Sequence, residues 1–291
     1  MKKLNQTLIC GLLIVPVLVL SGCDELLIDS AVEFETFEQS QALGDITKLD
    51  VELEYDVGTI EIARSESDQL YSIDLEYDRL HFDPDVDYDE SGGSATLDFD
   101  VDSIGGGIFG DRLRNDLTLR LNEDVVVDLD LTVGVAESYL DFTNLKIRSL
   151  RLKGGVGRTE VLFDELAKEE MDLMDINSGV GDLTIRSIGN ARVNRIRLKG
   201  GIGKTELDFT GDWEDWSTDA DITVGVGKIH LRIPREIPVE IQSDESFLSN
   251  ISAPGFEHRG NRYTRDPDGD GRGKIIIKVQ SGVGGVTVEL I

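Results

Sequence analysis

Between Val51 and the C-terminus, apolar and polar residues follow one phrase that recurs seven times. In each copy, apolar residues alternate with polar ones on both sides of a short turn, and the clearest copy runs from Ile196 to Phe209. A period of two with one apolar face is typical of a half-buried strand, so each copy predicts two strands joined by a corner. The last turn residues of the copies, here called anchors, are Gly58, Ala136, Gly157, Gly181, Gly203, Gly227 and Gly284.

The residues around the anchors keep their character from copy to copy. Val or Ile directly precedes every anchor, and Gly stands two positions before it in six copies, with Asp56 in the first. The positions seven and five before the anchor are apolar in all seven copies, and the same face continues two and four positions after it. Gly tolerates positive φ and close approach between backbones, which a corner repeated along one edge requires.

The spacing of the copies distinguishes separate hairpins from an array. The anchors at 136, 157, 181, 203 and 227 are 21, 24, 22 and 24 residues apart. A period in this range predicts stacked units that bury one continuous core. The predicted fold is therefore all-β, a β-solenoid-like stack of strand, glycine turn and strand repeats. A β-sandwich with glycine-rich hairpins is the alternative that the same pattern allows.

The N-terminal segment has the pattern of an export signal. A short basic segment precedes an apolar run from Leu8 to Leu20, which is too short to span a bilayer comfortably. The run ends in Leu20-Ser-Gly-Cys23, which resembles the bacterial lipobox. The resemblance implies cleavage after Gly22 and attachment of acyl chains, such as palmitate, at Cys23. An ordinary secretory signal followed by a chance cysteine is the alternative.

Lipidation would leave no thiol in the mature chain, because Cys10 leaves with the signal and Cys23 carries the anchor. Disulfide, redox and cysteine-metal sites are therefore not expected. Two or three acyl chains hold a protein to a membrane almost permanently. We expect a lipid-anchored protein on the extracytoplasmic side of the cell membrane. Asp24, directly after the anchor, resembles the residue that keeps enterobacterial lipoproteins in the inner membrane. In a Gram-negative cell the resemblance implies the periplasmic face of that membrane.

The predicted organisation has four parts: a signal peptide at 1–22, a tether at 23–30, an N-terminal irregular β region at 31–130 and a C-terminal β-repeat region at 131–291. The repeat region carries an insertion at 243–274, because 57 residues separate Gly227 from Gly284. One rung plus the insertion is expected between these anchors, and the last strand is expected at the end of the array. Helix is limited to one or two turns within Phe163–Met174.

In the irregular region, an early strand is predicted over Ala31–Phe37, with Val32, Phe34 and Phe37 facing inward. Alternation bounded by acidic or glycine-rich loops predicts further strands at 70–77, 95–101, 117–121 and 125–133.

The charge balance limits the partners. Lys and Arg number 29 against 57 Asp and Glu, which gives a net charge of −28. Such a surface repels nucleic acid and anionic lipid, so direct binding of DNA or RNA is not expected. A hydrophobic content of 40% is ample for a continuous core.

Motifs for catalysis or nucleotide binding are not found. Gly200–Thr205 resembles a phosphate-binding loop, but Leu198 stands where that pattern requires Gly, and a strand pattern follows where a helix is needed. The histidines His81, His230 and His258 stand apart in the sequence. No nucleophile elbow or zinc spacing appears, so we predict a protein that is not an enzyme and binds no nucleotide.

One candidate metal site remains. Asp266, Asp268 and Asp270, followed by Gly271, match the first half of an oxygen-rich calcium loop. Ile277 occupies the place of the closing Glu, so any affinity for Ca²⁺ is expected to be weak. A solvated hairpin tip is the alternative reading, and no other cofactor is predicted.

The glycine corners, the segment Leu53–Ile62 and the C-terminal segment Ser281–Val288 resemble the toast-rack or adhesin-like proteins. These are related to the extracellular domain of Lia-type envelope-stress modulators. The resemblance covers Val32–Ile291 and implies a β-solenoid-like domain beyond the membrane, without known catalysis. The lipid anchor at Cys23 departs from the transmembrane helices of the stress modulators.

These observations predict a lipid-anchored, non-catalytic interaction or scaffold module of the cell envelope, with a role in envelope stress. Its expected partners are the membrane, through the anchor, and an envelope protein or glycan. The alternatives are a glycan-binding or carbohydrate-active protein and a calcium-dependent adhesin.

Overall fold

The computed structural model describes residues 32–65, 68–105, 114–213, 216–244, 249–267 and 273–291. The strands are β1 (Phe34–Ala42), β2 (Lys48–Ser65), β3 (Gln69–Asp78), β4 (Phe82–Ser91), β5 (Ser94–Ser103), β6 (Asn115–Asn122), β7 (Val126–Asp141), β8 (Lys146–Leu162), β9 (Met171–Arg186), β10 (Val193–Asp208), β11 (Ser217–Ile233), β12 (Val239–Asp244), β13 (Ser249–Ser252), β14 (Glu257–Arg259), β15 (Arg262–Arg265) and β16 (Lys274–Leu290). All of them belong to one sheet.

Seven long strands form the centre of the sheet in the order β2, β7, β8, β9, β10, β11 and β16. Each pairs in parallel with the next, and equivalent repeat positions lie side by side, as for Leu198 and Ile222. Each long strand is one rung of the stack. The prediction of a β-solenoid-like stack is therefore confirmed.

The corner does not end the strand, contrary to the prediction of two strands per copy. Each rung continues through its corner, and the inward face shifts there by one residue. On β7 the buried positions are odd-numbered up to Val133 and even-numbered from Ala136. The shift keeps both arms of the bent strand facing the same core, here called the first arm before the corner and the second arm after it.

Glycine at the anchors allows the rungs to stack. Gly181 has φ +143°, and a Cβ placed on it would lie 1.7 Å from the carbonyl oxygen of Gly157 on the preceding rung. Equivalent overlaps occur at Gly157, Gly203, Gly227 and Gly284. Ala136 is the exception, and its φ is not positive.

The core is a ladder of aliphatic side chains between the two arms. Leu152, Ile176, Leu198 and Ile222 occupy the same first-arm position on successive rungs and are at most 2% exposed. Burial of one such side chain stabilises the fold by about 1.5–3 kcal/mol. Stacked rungs therefore share a core that a single repeat could not form.

Both ends of the stack are covered by split rungs. At one end, β5 pairs with the first arm of β2 and β6 with its second arm. At the other end, β12 and β13 pair with the first and second arms of β16. Antiparallel strands then cover β5, β6 and β12, which protects the edges of the sheet from pairing with other chains.

The position of β16 corrects the predicted order of the array. The last strand of the chain was expected at the end of the stack, but β16 lies between β11 and the split rung of β12 and β13. It pairs with β11 over its whole length, from Lys274 to Leu290. The insertion therefore adds a rung beyond the C-terminal strand and leaves the regular register of the stack unbroken.

Two local predictions were also wrong. The first strand runs over Phe34–Ala42, and only Phe37 of the three residues expected inward packs on the core, stacked on Phe99 at 6.2 Å. Val32 and Phe34 are exposed. Within 163–174 no helix forms, since strand β9 begins at Met171. The helical turn that does exist, Ile188–Ala191, was not predicted.

The N-terminal cap is tied by a buried carboxylate. Asp78 accepts hydrogen bonds from the backbone N–H groups of Glu33 at 2.9 Å and Leu80 at 3.1 Å, and its side chain meets His81 Nδ1 at 2.7 Å. Burial alone would raise the pKa of Asp78, but these hydrogen bonds outweigh it and lower the pKa. The stability that the ionised carboxylate contributes is thus lost as the pH falls through that lowered pKa.

Candidate interaction surface

The residue directly before each anchor points out of the stack. We call the seven side chains the corner row: Val57, Val135, Val156, Val180, Ile202, Val226 and Val283. Six of them are between 44% and 55% exposed, and Val57 is half-buried. The ladder aligns them side by side, for example Val156 with Val180 and Ile202 with Val226.

Local geometry forces this orientation. Because the inward face shifts by one residue at the corner, the residue before the anchor continues the alternation of the first arm but lies beyond the shift. It is therefore out of phase with the second arm and points outward. In β9, Ile176 and Leu183 face the core, whereas Val180 faces solvent. Scattered exposed aliphatic residues are common on proteins, but a continuous line of them marks an interaction surface.

A row that is mostly charged, here called the charged row, runs beside the corner row, two residues further along the first six long strands: Thr59, Glu137, Arg158, Asp182, Lys204 and Lys228. Glu137 accepts a hydrogen bond from Tyr139 at 3.0 Å, and Lys204 bonds Glu206 at 2.5 Å. The hydrogen bond from Lys204 lowers the pKa of Glu206. Arg158 makes no ion pair within the described part of the chain.

A shallow groove separates the two rows over the first rungs. It has a volume of about 630 Å³, and its floor is formed by anchors such as Gly58 and Gly157. Val135 and Val156 line it on the apolar side, whereas Arg158 lines it on the charged side. The surface therefore offers an apolar centre with a mixed-charge border, which is the composition of a protein-binding patch.

A second, polar groove of about 420 Å³ lies on the outer face near the C-terminal end of the stack. Two in-register rows line it: Asp221, Lys278 and Gln242, and then Thr223, Gln280 and Asp244. Lys278 Nζ lies 3.8 Å from Asp221 Oδ1. The lining offers amides and carboxylates, and none of the described residues in it is aromatic.

The outer face of the N-terminal end is strongly acidic. Asp100 lies directly opposite Asp85 on one side and Glu54 on the other, with Asp98 and Asp102 two residues away along its own strand. Burial, followed by the charges of Asp98 and Glu54, raises the pKa of Asp100. Like charges placed opposite each other across strands destabilise a sheet.

Replacing Asp100 by asparagine is expected to raise the free energy of unfolding by roughly 0.5–1 kcal/mol at pH 7, because it removes two repulsive cross-strand pairs. A carboxylate with a raised pKa weakens the fold as the pH rises through that pKa. The gain should therefore vanish well below 3.8, the ordinary pKa of the side chain. Urea unfolding at several pH values measures this, and a gain that does not depend on pH would contradict the cause.

The structure describes only one of the predicted site residues. Gly22, Cys23, Asp268 and Asp270 lie outside the described residues, whereas Asp266 is described and exposed. No cluster of three or more potential metal-ligating side chains occurs among the residues described. Calcium binding by this loop and lipidation of Cys23 remain predictions.

Other motifs singled out in the sequence have structural roles. The phrase Gly200–Thr205 lies inside strand β10. His230 Nε2 lies 3.1 Å from Glu289 on the neighbouring rung, and His258 stacks on Tyr263 at 4.2 Å. None of the helices in the described ranges is long and apolar enough to cross a membrane.

The corner row was not identified as a surface from the sequence, although its signal was present. Val or Ile precedes every anchor, yet this residue is far from the buried positions of its strand: Val156 is four residues from Leu152, the nearest buried residue of the first arm. An apolar residue kept directly before the anchor, where it breaks the alternation of the second arm, is the signal that could have found the surface.

Comparison with known proteins agrees with this architecture. Residues 29–186, more than half of the chain, match the model of the N-terminal domain of toast_rack, DUF2154. A "putative cell adhesion protein" from Clostridium sporogenes is 18% identical with a TM-score of 0.47, covering 89% of this chain and 100% of its own. A "putative adhesin" from Bacteroides fragilis is 15% identical with a TM-score of 0.40, covering 89% and 97%. No curated protein matches in sequence. The chain belongs to the toast-rack family.

Proposed function

We propose that this toast-rack protein is a non-catalytic interaction module, held at the extracytoplasmic face of the cell membrane by acyl chains on Cys23, and that it acts in the envelope stress response. The observation that carries the proposal is the corner row, a line of aliphatic residues on seven rungs of which six are exposed. Its occupant is a protein surface with an apolar strip and charged borders, matching the composition of the row and its flank.

The rigidity of the stack supports this role. The five inner corner residues are paired with neighbouring rungs on both sides, as Val180 is with Val156 and Ile202. They are also flanked by fully buried residues of their own rung, such as Ile176 and Leu183 around Val180. A surface that is already ordered loses little entropy on binding, which favours affinity. A short tether also supports it, since the chain from Cys23 to Val32 can reach at most about 30 Å.

The polar groove near the C-terminal end of the stack gives little support to the alternative, a glycan-binding protein. Glycan sites of solenoid proteins were expected to show outward aromatic side chains beside paired carboxylates. The described residues that line this groove include carboxylates and amides but no aromatic side chain. The corner row instead presents apolar surface, which a polysaccharide does not bury well.

Substitution of Val180 by aspartate tests the proposal. The full-length protein is expected to migrate in a larger complex when native membranes are solubilised, and V180D should abolish that complex, because a carboxylate in the centre of the row must be desolvated on binding. Thr287→Asp is the matched control, since Thr287 is exposed on the same stack but lies outside the row.

Equal thermal stability of the two variants would show that both are folded. A complex that survives V180D, or that is lost equally in T287D, would contradict docking through the corner row. Radiolabelled palmitate incorporation that persists after Cys23→Ser would contradict the anchor separately, so the two parts of the proposal can fail independently.

A further inference from the structure

We propose that the partner of the corner row is a second copy of this chain, and that the two copies pair about a twofold axis with the order of their rungs reversed. The proposal rests on the proposed function, since it names the protein surface that the row receives. The twofold axis lies between rungs β8 and β9, perpendicular to the corner row and parallel to the strands. This operation places the corner row of one copy against the corner row of the other, and the charged row against the charged row.

The apolar residues match in this register. Val156 meets the partner's Val180, and Val135 meets the partner's Ile202. Each pair occurs twice, because a twofold interface brings both members into contact from both sides. The two rows are equally spaced at about 4.8 Å per rung, so every contact along the overlap is made at once.

The charged residues match in the same register. Arg158 faces the partner's Asp182, and Glu137 faces the partner's Lys204. Both pairs again occur twice, and the remaining member of the overlap, Thr59, faces the partner's Lys228. Arg158 makes no ion pair with any residue in the described ranges, so this contact supplies the opposite charge that its own chain does not.

Neighbouring registers lack this complementarity. A shift of one rung in one direction sets Arg158 against the partner's Lys204 and Asp182 against the partner's Asp182. A shift in the other direction sets Arg158 against the partner's Arg158 and Glu137 against the partner's Asp182. Juxtaposed like charges disfavour both, so the charge order along the row selects one register.

The next row outward is also compatible. Four residues before each anchor stand Glu54, Thr132, Lys153, Asn177, Lys199 and Thr223. In the proposed register Lys153 faces the partner's Asn177, Thr132 the partner's Lys199 and Glu54 the partner's Thr223. No like charges meet, although the chain as a whole carries a net charge of −28.

The size of the surface predicts a modest affinity. Six overlapping rungs extend roughly 24 Å at about 4.8 Å per interval. Such a patch lies at the lower end of the areas typical of specific complexes, so a dissociation constant in the micromolar range is expected. Confinement to a membrane by a lipid anchor raises the local concentration and favours the dimer there.

A charge exchange in the full-length protein tests the arrangement. Sedimentation velocity in detergent, across the micromolar range, is expected to show a monomer–dimer equilibrium. Arg158→Glu and Asp182→Arg should each weaken dimerisation by about 30-fold, since each removes two attractive pairs and creates two repulsive ones. The double variant R158E/D182R should return to within about threefold of the parent, because the exchanged charges again face each other.

Lys278→Glu serves as the control, because Lys278 is exposed on the first arm and lies outside the contact. A protein that stays monomeric at all concentrations would overturn the proposal. A dimer would overturn it too if R158E/D182R failed to recover, or if V180D left it intact. In the first case a V180D-sensitive complex in native membranes would still stand, so failure of this inference is distinguishable from failure of the proposed function.

Discussion

Replacing Gly157 by alanine is expected to destabilise the protein by at least about 4 kcal/mol, or to prevent folding. The added Cβ would lie 1.9 Å from the carbonyl oxygen of Ala136, which belongs to the backbone of the preceding rung and cannot move aside alone. Gly157 also has φ +144°, a conformation that costs any other residue further strain. Losses above 4 kcal/mol are exceptional for single substitutions and require a cause of this kind.

The same corner supplies the control. At Gly154 a Cβ would meet its nearest atom, the carbonyl oxygen of Asn177, at 3.9 Å, and φ is not positive. Gly154→Ala should therefore be neutral or slightly stabilising, since alanine restricts the unfolded chain. Chemical denaturation of both variants measures the difference. Comparable losses in G154A and G157A would contradict the role assigned to the anchor.

Replacing Trp213 by alanine has the second largest expected effect, a loss of about 3–5 kcal/mol. Trp213 is 3% exposed, packs on Phe209 at 6.4 Å and donates a hydrogen bond from Nε1 to the carbonyl oxygen of Phe209 at 2.7 Å. Removal leaves a cavity and an unpaired carbonyl at the end of the second arm of β10.

Trp216 is the matched control because it stacks on Trp213 at 4.9 Å but is only half-buried. Trp216→Ala should cost about 1 kcal/mol, which is the scale of an aromatic pair with little burial. Thermal unfolding followed by circular dichroism compares the variants without depending on tryptophan emission. An equal loss in W213A and W216A would show that stacking, rather than burial at the end of the core, determines the stability.

The repeats were predictable because the spacing of the anchors and the period of two both survive in the sequence. The repeated phrase around Gly203 predicts a close backbone approach that only glycine allows. The structure confirms it, since a Cβ added to Gly203 would lie only 1.7 Å from the carbonyl oxygen of Gly181. Continuity of the strand through the corner was not predictable, because a glycine pair before the anchor also signals a hairpin turn. A hairpin and a continuous bent strand differ in which strand they pair with, and in this fold the pairing partner is the neighbouring rung.

The order of the last rungs could not be predicted from the sequence for a related reason. Sequence places β16 after the insertion, but pairing depends on which strand fits the exposed edge of β11. The repeat pattern of β16 (Lys274–Leu290) matches that of β11 along the whole strand. Strands β12 and β13 are much shorter and could cover only parts of β11. The best-matched strand takes the inner place, and the shorter strands cover it. Phe34 was misassigned because β1 is an edge strand, where an aromatic residue can face solvent.

The corner row shows what a pattern of inward residues omits. Scoring apolar positions by their fit to a buried face explains Leu198 and Leu207 but treats Ile202 as part of the turn. Its outward direction follows only from the one-residue shift at the corner. The spacing of the repeats therefore predicts the fold, whereas the surface is recognised only from the one-residue shift of the inward face at each corner.

The most direct measurement is photo-cross-linking in living cells, with a photoreactive amino acid placed at Val180 in the full-length protein and, as the control, at Thr287. Docking through the corner row predicts a discrete protein adduct from position 180 that is absent at 287, and mass spectrometry would identify the adduct as this chain if the twofold pairing is right. Adducts to lipid alone at position 180, or equal adducts at both positions, would contradict a protein-binding role for the corner row.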